Sequence, residues 1–282
     1  LMLFWKMQGA GNDFILFNNL DGRYVDYSQL AKKLCDRHFG IGADGMMACE
    51  KSTSCDIKMV YYNQDGSKAD MCGNGIRCFS KFIYENKIVD KTSFLVEAAA
   101  RNYDISLITQ NDEVKLVKVE MGLPTLEPKL IPALTDYTEF INEEIVIEDR
   151  KFLASAVLIG VPHLVIFEDD ISLQELDYYG SRLEQNTKLF PKKINVNFVK
   201  IIDKSNIGVK TYERGCGYTL ACGTGMTSSA YIANKLGLVN DKVKVSSPGG
   251  EVEIEILKEK LYMTGPAQKI CDGRVDDDWL LA

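Results

Sequence analysis

The chain has 282 residues, a net charge of −7, 46% apolar and 26% charged side chains, which is the make-up of a globular protein long enough for two cores. No apolar run is long enough to span a bilayer, and no basic cluster rises above the acidic background, so membrane and nucleic-acid partners are disfavoured. The opening stretch, 1–17, lacks a long apolar segment with a small-residue cleavage site, so no signal peptide and a cytoplasmic location are expected.

In chain order, 12–17 reads as a strand, 29–37 as a helix and 56–62 as a strand running into the turn Asn63-Gln64-Asp65-Gly66-Ser67. Helical spacing follows over 75–87 through Ile76, Phe79, Phe82 and Ile83, and then three strands at 93–97, 103–108 and 114–121. Beyond a Pro-containing stretch at 124–132 a second round begins. It has strands at 156–159 and 164–167, a helix at 177–183, strands at 195–202 and 208–212, a helix at 224–236, and strands at 243–246 and 251–257. Pro248-Gly249-Gly250 supplies a hairpin turn between the last two. The order of elements repeats more clearly than the residues do. An α+β architecture follows, with mixed sheets wrapped on one central helix per domain and 124–132 as the boundary.

Of eight cysteines, none fits a zinc spacing: Cys72 and Cys78 are too far apart, as are Cys216 and Cys222, and His38 and His163 are the only histidines. No metal is expected. In a chain this long the cysteines are expected to stay reduced, and Cys35, Cys49, Cys55, Cys78 and Cys271 read as small buried or partly buried apolar residues. A formal G-x-G-x-x-G at Gly40, Gly42 and Gly45 follows a helix instead of a strand, so it reads as a helix C-cap and loop, not a dinucleotide site.

Two runs are closely alike: Met71-Cys72-Gly73-Asn74-Gly75-Ile76 and Ala221-Cys222-Gly223-Thr224-Gly225-Met226. Each sets a cysteine at a Gly-X-Gly turn that opens a helix. A helix start offers N–H donors and a positive dipole end, which can hold a carboxylate and lower the pKa of a nearby thiol. Two such starts would bring two thiols to opposite sides of one carboxylate compound, as proton transfer on and off a carbon requires. Upstream of the second turn, Arg214 can grip a carboxylate with two parallel bonds, and Glu213 can hold an ammonium.

Lys6-Met7-Gln8-Gly9-Ala10-Gly11-Asn12-Asp13-Phe14 resembles the opening of diaminopimelate epimerases. So do Tyr62-Asn63-Gln64-Asp65-Gly66-Ser67, both cysteine motifs, Asn195-Val196-Asn197-Phe198, Tyr212-Glu213-Arg214-Gly215 and Met263-Thr264-Gly265-Pro266-Ala267, in the family's order along nearly the whole chain. The resemblance implies a cofactor-independent amino-acid epimerase of two pseudo-symmetric domains, 1–122 plus 268–282 and 123–267. Each would be a mixed, largely antiparallel sheet around a central helix, with the active site in the cleft between them. It implies that Cys72 and Cys222 are the acid/base pair. Asn12, Asn63, Asn195, Glu213 and Arg214 would hold the far end and flanks of the substrate. The turn amides of Gly73, Asn74, Gly223 and Thr224 would hold the carboxylate. The expected partner is a small amino acid, with a homodimer left open.

The chain departs from the family at Gly160-Val161-Pro162-His163, where an asparagine is usual at 161, and also at Cys216, Tyr218 and Ala98. Interconversion of LL- and meso-diaminopimelate is therefore the leading expectation. The alternatives are a racemase or epimerase of another amino acid, and a non-catalytic amino-acid-binding protein.

Overall fold

The computed structural model describes all residues except Asp70, Met71, Asp149, Glu259 and Ala282, together with the side chain of Leu281. Met71, the first residue of the first cysteine motif, thus lies outside the described residues. The chain divides into two units, Leu1–Val119 with Thr264–Ala282, and Glu120–Met263.

The first unit runs β1 (Met2–Gly9), β2 (Asn12–Asn18), α1 (Tyr27–Cys35), β3 (Gly45–Glu50), β4 (Ile57–Asn63), α2 (Gly73–Glu85), β5 (Ser93–Glu97), β6 (Asn102–Gln110) and β7 (Glu113–Gly122), the last of which crosses the division. The second contains β8 (Glu143–Ile147), β9 (Arg150–Ile159), β10 (Val161–Phe167), α3 (Leu173–Glu184), β11 (Asn195–Asp203), β12 (Asn206–Glu213), β13 (Gly217–Thr219), α4 (Gly223–Lys235), β14 (Lys242–Ser247), β15 (Gly250–Leu257) and the start of β16 (Lys260–Gly265). The chain then returns to the first unit with β17 (Gln268–Val275) and the short α5 (Asp277–Leu281).

Strand directions repeat. In the first unit β17 lies antiparallel to β1, β1 to β2, β3 to β4, and β5 to β6, whereas β2/β3 and β4/β5 are parallel. In the second, β8/β9, β9/β10, β11/β12 and β14/β15 are antiparallel, and β10/β11 and β12/β14 are parallel. A parallel step needs a crossover, and each one here carries a helix: α1 and α2 in the first unit, α3 and α4 in the second. The duplication expected from the order of elements is therefore present strand by strand. One difference stands out: the outermost strand is β8, directly ahead of β9, in the second unit, but β17, from the far end of the chain, in the first.

The helix after each cysteine is the buried one. Residues 73–84 of α2 are all buried, and α4 buries Gly223, Gly225, Met226, Thr227, Ser228, Ser229, Ala230, Ile232 and Ala233. Small residues and hydroxyls let these helices lie close to the strands beneath them. Ser80 and Ser229 return their hydroxyls to the carbonyls of Ile76 and Gly225. The other helices cover sheet faces. α1 sits over Phe17, Met46 and Ala48, and α3 over Phe152, Leu164 and Phe198.

Caps explain where the helix ends depart from the expected ones. Asp26 accepts from the Gln29 amide, so α1 begins before 29. Ser172 and Glu175 form a capping box, so α3 begins at Leu173 and not at 177. Ile41, Gly42 and Ala43 donate backbone N–H groups to the last carbonyls of α1, which places Gly40 and Gly42 in a helix-end loop as expected, whereas Gly45 opens β3. Strands β1, β3, β8, β13, β16 and β17 differ from the expected set. β3 is buried on both faces and so lacks alternation, while β17 is mostly exposed and mixes polar with apolar residues. One cysteine reading is corrected: Cys271 is exposed, because it sits on β17.

Candidate active site

Cys72 is the N-cap of α2 and Cys222 the N-cap of α4, with matching extended backbones (φ −138°, ψ 118° and φ −123°, ψ 110°). Each cysteine carbonyl accepts the first helical bond, from Ile76 at 2.9 Å and Met226 at 2.8 Å. The amides of Gly73, Asn74, Gly223 and Thr224 are first-turn amides, which have no acceptor within their own helix. They form two positively polarised helix starts, each headed by a thiol.

At the third helical position of both, a side chain would meet a neighbour from a strand. A Cβ on Gly75 would lie 2.0 Å from Met47 Cε, and one on Gly225 would lie 2.4 Å from Asn197 Oδ1. The Gly-X-Gly pattern thus lets each helix start settle onto its sheet.

The surroundings of the two thiols differ. In the first unit the Gly75 amide donates to Cys72 Sγ at 3.3 Å. The Asn74 side chain is buried and donates to Asn12 Oδ1 at 2.7 Å, and Asn12 Nδ2 donates to Asp44 at 3.3 Å. Asp44 and Asp13 share Arg37, at 2.7 and 2.9 Å. Burial works against the Asp13 carboxylate, but Arg37 and Lys6 hold its pKa down at about 2. Asn12 and Asn74 are therefore brought together, tied into a charged cluster at the edge of the helix start. Asn63 is not part of that cluster: its Nδ2 donates to Ser67 Oγ at 3.0 Å and closes the 63–67 turn.

In the second unit a chain of hydrogen bonds leads to Cys222. Asn197 Nδ2 donates to the Leu164 carbonyl at 3.0 Å and lies 3.1 Å from His163 Nδ1, so Nδ1 is an acceptor and the ring proton sits on Nε2. Nε2 then donates to Thr224 Oγ1 at 2.9 Å, which leaves the Thr224 hydroxyl proton for Cys222 Sγ, 3.4 Å away. Burial, helped by the charge of Arg214, pushes the His163 pKa down to about 3. The imidazole is neutral at physiological pH.

Glu213 reaches the same thiol. It accepts from Thr219 Oγ1 at 2.6 Å and is also hydrogen-bonded to Cys222. Burial raises its pKa, and these two bonds offset part of the rise. Asn195 holds the turn beyond it, donating to the Pro162 carbonyl at 2.9 Å and accepting the Arg214 amide at 2.8 Å. Arg214 itself is exposed and gives Nη1 to the Lys192 carbonyl at 3.0 Å. The structure therefore gathers Asn195, Glu213, Arg214, Gly223 and Thr224 around Cys222. It adds His163, Asn197, Thr211 and Thr219, none of which was singled out from the sequence. One signal for Asn197 was available: it lies two residues beyond Asn195 on a strand, so both side chains leave the same face.

The chain shares its two-unit α+β fold with solved structures of low sequence identity. It superposes on a hydroxyproline epimerase from Agrobacterium vitis with a TM-score of 0.72 at 13% identity, covering 96% of this chain and 91% of that one. A Bacillus anthracis phenazine biosynthesis protein of the PhzF family gives 0.70 at 13% identity, covering 98% and 99%. Sequence comparison is narrower. The family model described as Diaminopimelate epimerase matches residues 4–127 and 155–270. The diaminopimelate epimerase of Alkaliphilus metalliredigens is 47% identical over 272 residues, 96% of each chain, and that of Clostridium perfringens is 46% identical over 273 residues, 96% of this chain and 98% of that one. The chain belongs to the diaminopimelate epimerase family, and is thus an isomerase.

Proposed function

We propose that the protein interconverts LL- and meso-diaminopimelate by moving the α-proton between two thiols, Cys72 and Cys222. One cysteine starts as thiolate and takes the α-proton from one face of the carbon. The other starts as thiol and delivers its proton to the opposite face. After one turnover the two have exchanged roles, and the reverse reaction uses them the other way round.

A single observation carries this reading: each unit presents one thiol as the N-cap of its buried helix, in the same backbone geometry. An amino-acid α-proton is very weakly acidic, so charge that develops on the carboxylate must be stabilised. The first-turn amides at Gly73, Asn74, Gly223 and Thr224 are suited to that task, as fixed dipoles aimed at a developing oxyanion. In this reading no cofactor takes part. Asn12 and Asn63 of the first unit and Asn195, Glu213 and Arg214 of the second bind the substrate, and Arg214 receives the distal carboxylate.

The test is α-proton exchange in heavy water across a panel of amino acids that includes LL- and meso-diaminopimelate. Diaminopimelate is expected to exchange fastest, and Cys72→Ala or Cys222→Ala to abolish epimerisation. Full epimerisation by either single variant, without added thiol, would defeat the two-base assignment. Rapid exchange of a monocarboxylic amino acid with poor turnover of diaminopimelate would select another substrate, as the Val161 departure allows.

A further inference from the structure

One turn into α2, close to Cys72, lies a fully buried cation. Arg77 is 0% exposed. Its guanidinium donates through Nε to the Pro266 carbonyl, through Nη1 to the Gly73 carbonyl and through Nη2 to Asn74 Oδ1, each at 3.1 Å. Burial lowers its pKa, and attraction to the thiols of Cys78 and then Cys72 raises it again. An arginine starts so high that it remains charged.

A buried charge is costly unless it is paired and hydrogen-bonded, and Arg77 has the hydrogen bonds. Cys78 adds no counter-charge, since burial pushes its thiol up to about 12 and it stays protonated near neutrality. The next cation along the helix, Lys81, is matched by Glu85 at 2.9 Å. Cys72 is the thiol at the helix start that Arg77 braces. The bracing has a fixed direction: an arginine only donates and the Asp44 carboxylate accepts, so the amides of Asn74 and Asn12 between them each have one possible orientation.

The second unit repeats this geometry without the charge. Five residues after Cys222 comes Thr227, and its Oγ1 donates to the Gly223 carbonyl at 2.8 Å, the counterpart of the Arg77–Gly73 bond. Around Cys222 stand a neutral imidazole and the carboxyl group of Glu213, and the cation of that region, Arg214, is exposed to solvent.

We infer that Arg77 is a positioning residue that selectively favours the thiolate of Cys72, through a buried positive charge at the position where the second unit has Thr227. This rests on the reading of the two cysteines as the acid/base pair. It gives the two pseudo-symmetric helix starts unequal thiols.

The test is the pH dependence of iodoacetamide alkylation, followed for each cysteine by peptide mass spectrometry in the reduced, substrate-free protein. In the wild type the Cys72 midpoint is expected to lie below that of Cys222, and equal midpoints would overturn the inference. In Arg77→Met the Cys72 midpoint should rise by about one pH unit or more, the usual effect of removing a close opposite charge, with Cys222 unmoved. Arg77→Lys keeps the charge and should restore most of the difference. A folded Arg77→Met with an unchanged Cys72 midpoint, or with both midpoints displaced equally, would mean that the arginine only holds the helix in place. Should the neutral variant not fold, the wild-type midpoints still decide. The titration needs no turnover, so it stands or falls separately from the exchange assay.

Discussion

His163 is neutral because it is buried, and that has a consequence for stability. Its folded pKa of about 3 lies below the ordinary 6.5, so between those values the unfolded chain binds a proton that the folded one does not. Stability must then fall as pH drops through 6.5 towards 3, with a limiting slope of about 1.4 kcal/mol per pH unit for one proton. The Asp13 carboxylate, held at about 2, loses its contribution only below its ordinary value of 3.8, so above about pH 4 the histidine window stands apart from it. Urea unfolding at pH 7, 6 and 5 should show the histidine slope in wild type and a flatter line in His163→Gln. Equal slopes in the two proteins would mean that the imidazole titrates normally. Within the site the same neutrality matters chemically: a neutral ring can pass a hydrogen bond to Thr224 without adding a second cation beside Arg214.

At the scale of the element, the two cysteine helices are held down on their sheets by glycine, but not equally firmly. At Gly75 the first atom an added methyl would meet is the end of the Met47 side chain, which can swing away. At Gly225 it is Asn197 Oδ1, and Asn197 is already bonded to Thr211, His163 and the Leu164 carbonyl. Moving it would break a buried network, which adds a cost of about 1–3 kcal/mol to the strain of overpacking. Gly225→Ala is thus expected to lose about 3 kcal/mol or more, and Gly75→Ala about half as much. Chemical denaturation of both variants checks the ranking, and a Gly75 variant as damaging as the Gly225 one would contradict it. The same comparison shows what was readable from the residues. The Gly-X-Gly turn and the helix behind it were legible because local backbone chemistry dictates them. The unequal tolerance was not, since Met47 and Asn197 come from strands distant in sequence.

On the scale of the whole molecule, the first unit is completed by the end of the chain. β17 pairs with β1 from Met2 to Gln8, Lys269 places its ammonium 4.0 Å from the centre of the Trp5 ring, and Leu280 is buried. Removing 268–282 would leave the hydrogen-bonding edge of β1 unpaired. At about 0.5–1.5 kcal/mol net for each hydrogen bond, several kcal/mol should be lost. Hydrogen exchange should report faster exchange in β1 with the β9–β15 amides unchanged. β1 amides as protected in the shortened chain as in the full one would show that β17 contributes no support.

From the sequence by itself came what depends on neighbours along the chain. That includes the two cysteine turns, the helices they open, the hairpin at Pro248-Gly249, the helix-end loop at Gly40 and Gly42 and, through motifs in a fixed order, the family. Each rests on backbone preferences or short spacings that a few consecutive residues express. Only the tertiary structure decided which side chains meet across strands. It placed His163, Asn197 and Thr224 in one line to Cys222, Glu213 beside that thiol, and Arg77 under Cys72. It also paired β17 with β1, which lies at the opposite end of the chain. The physical reason is the same in every case. A buried polar group must find its partner in space, and nothing in a linear spacing says which distant carbonyl, amide or thiol that partner will be.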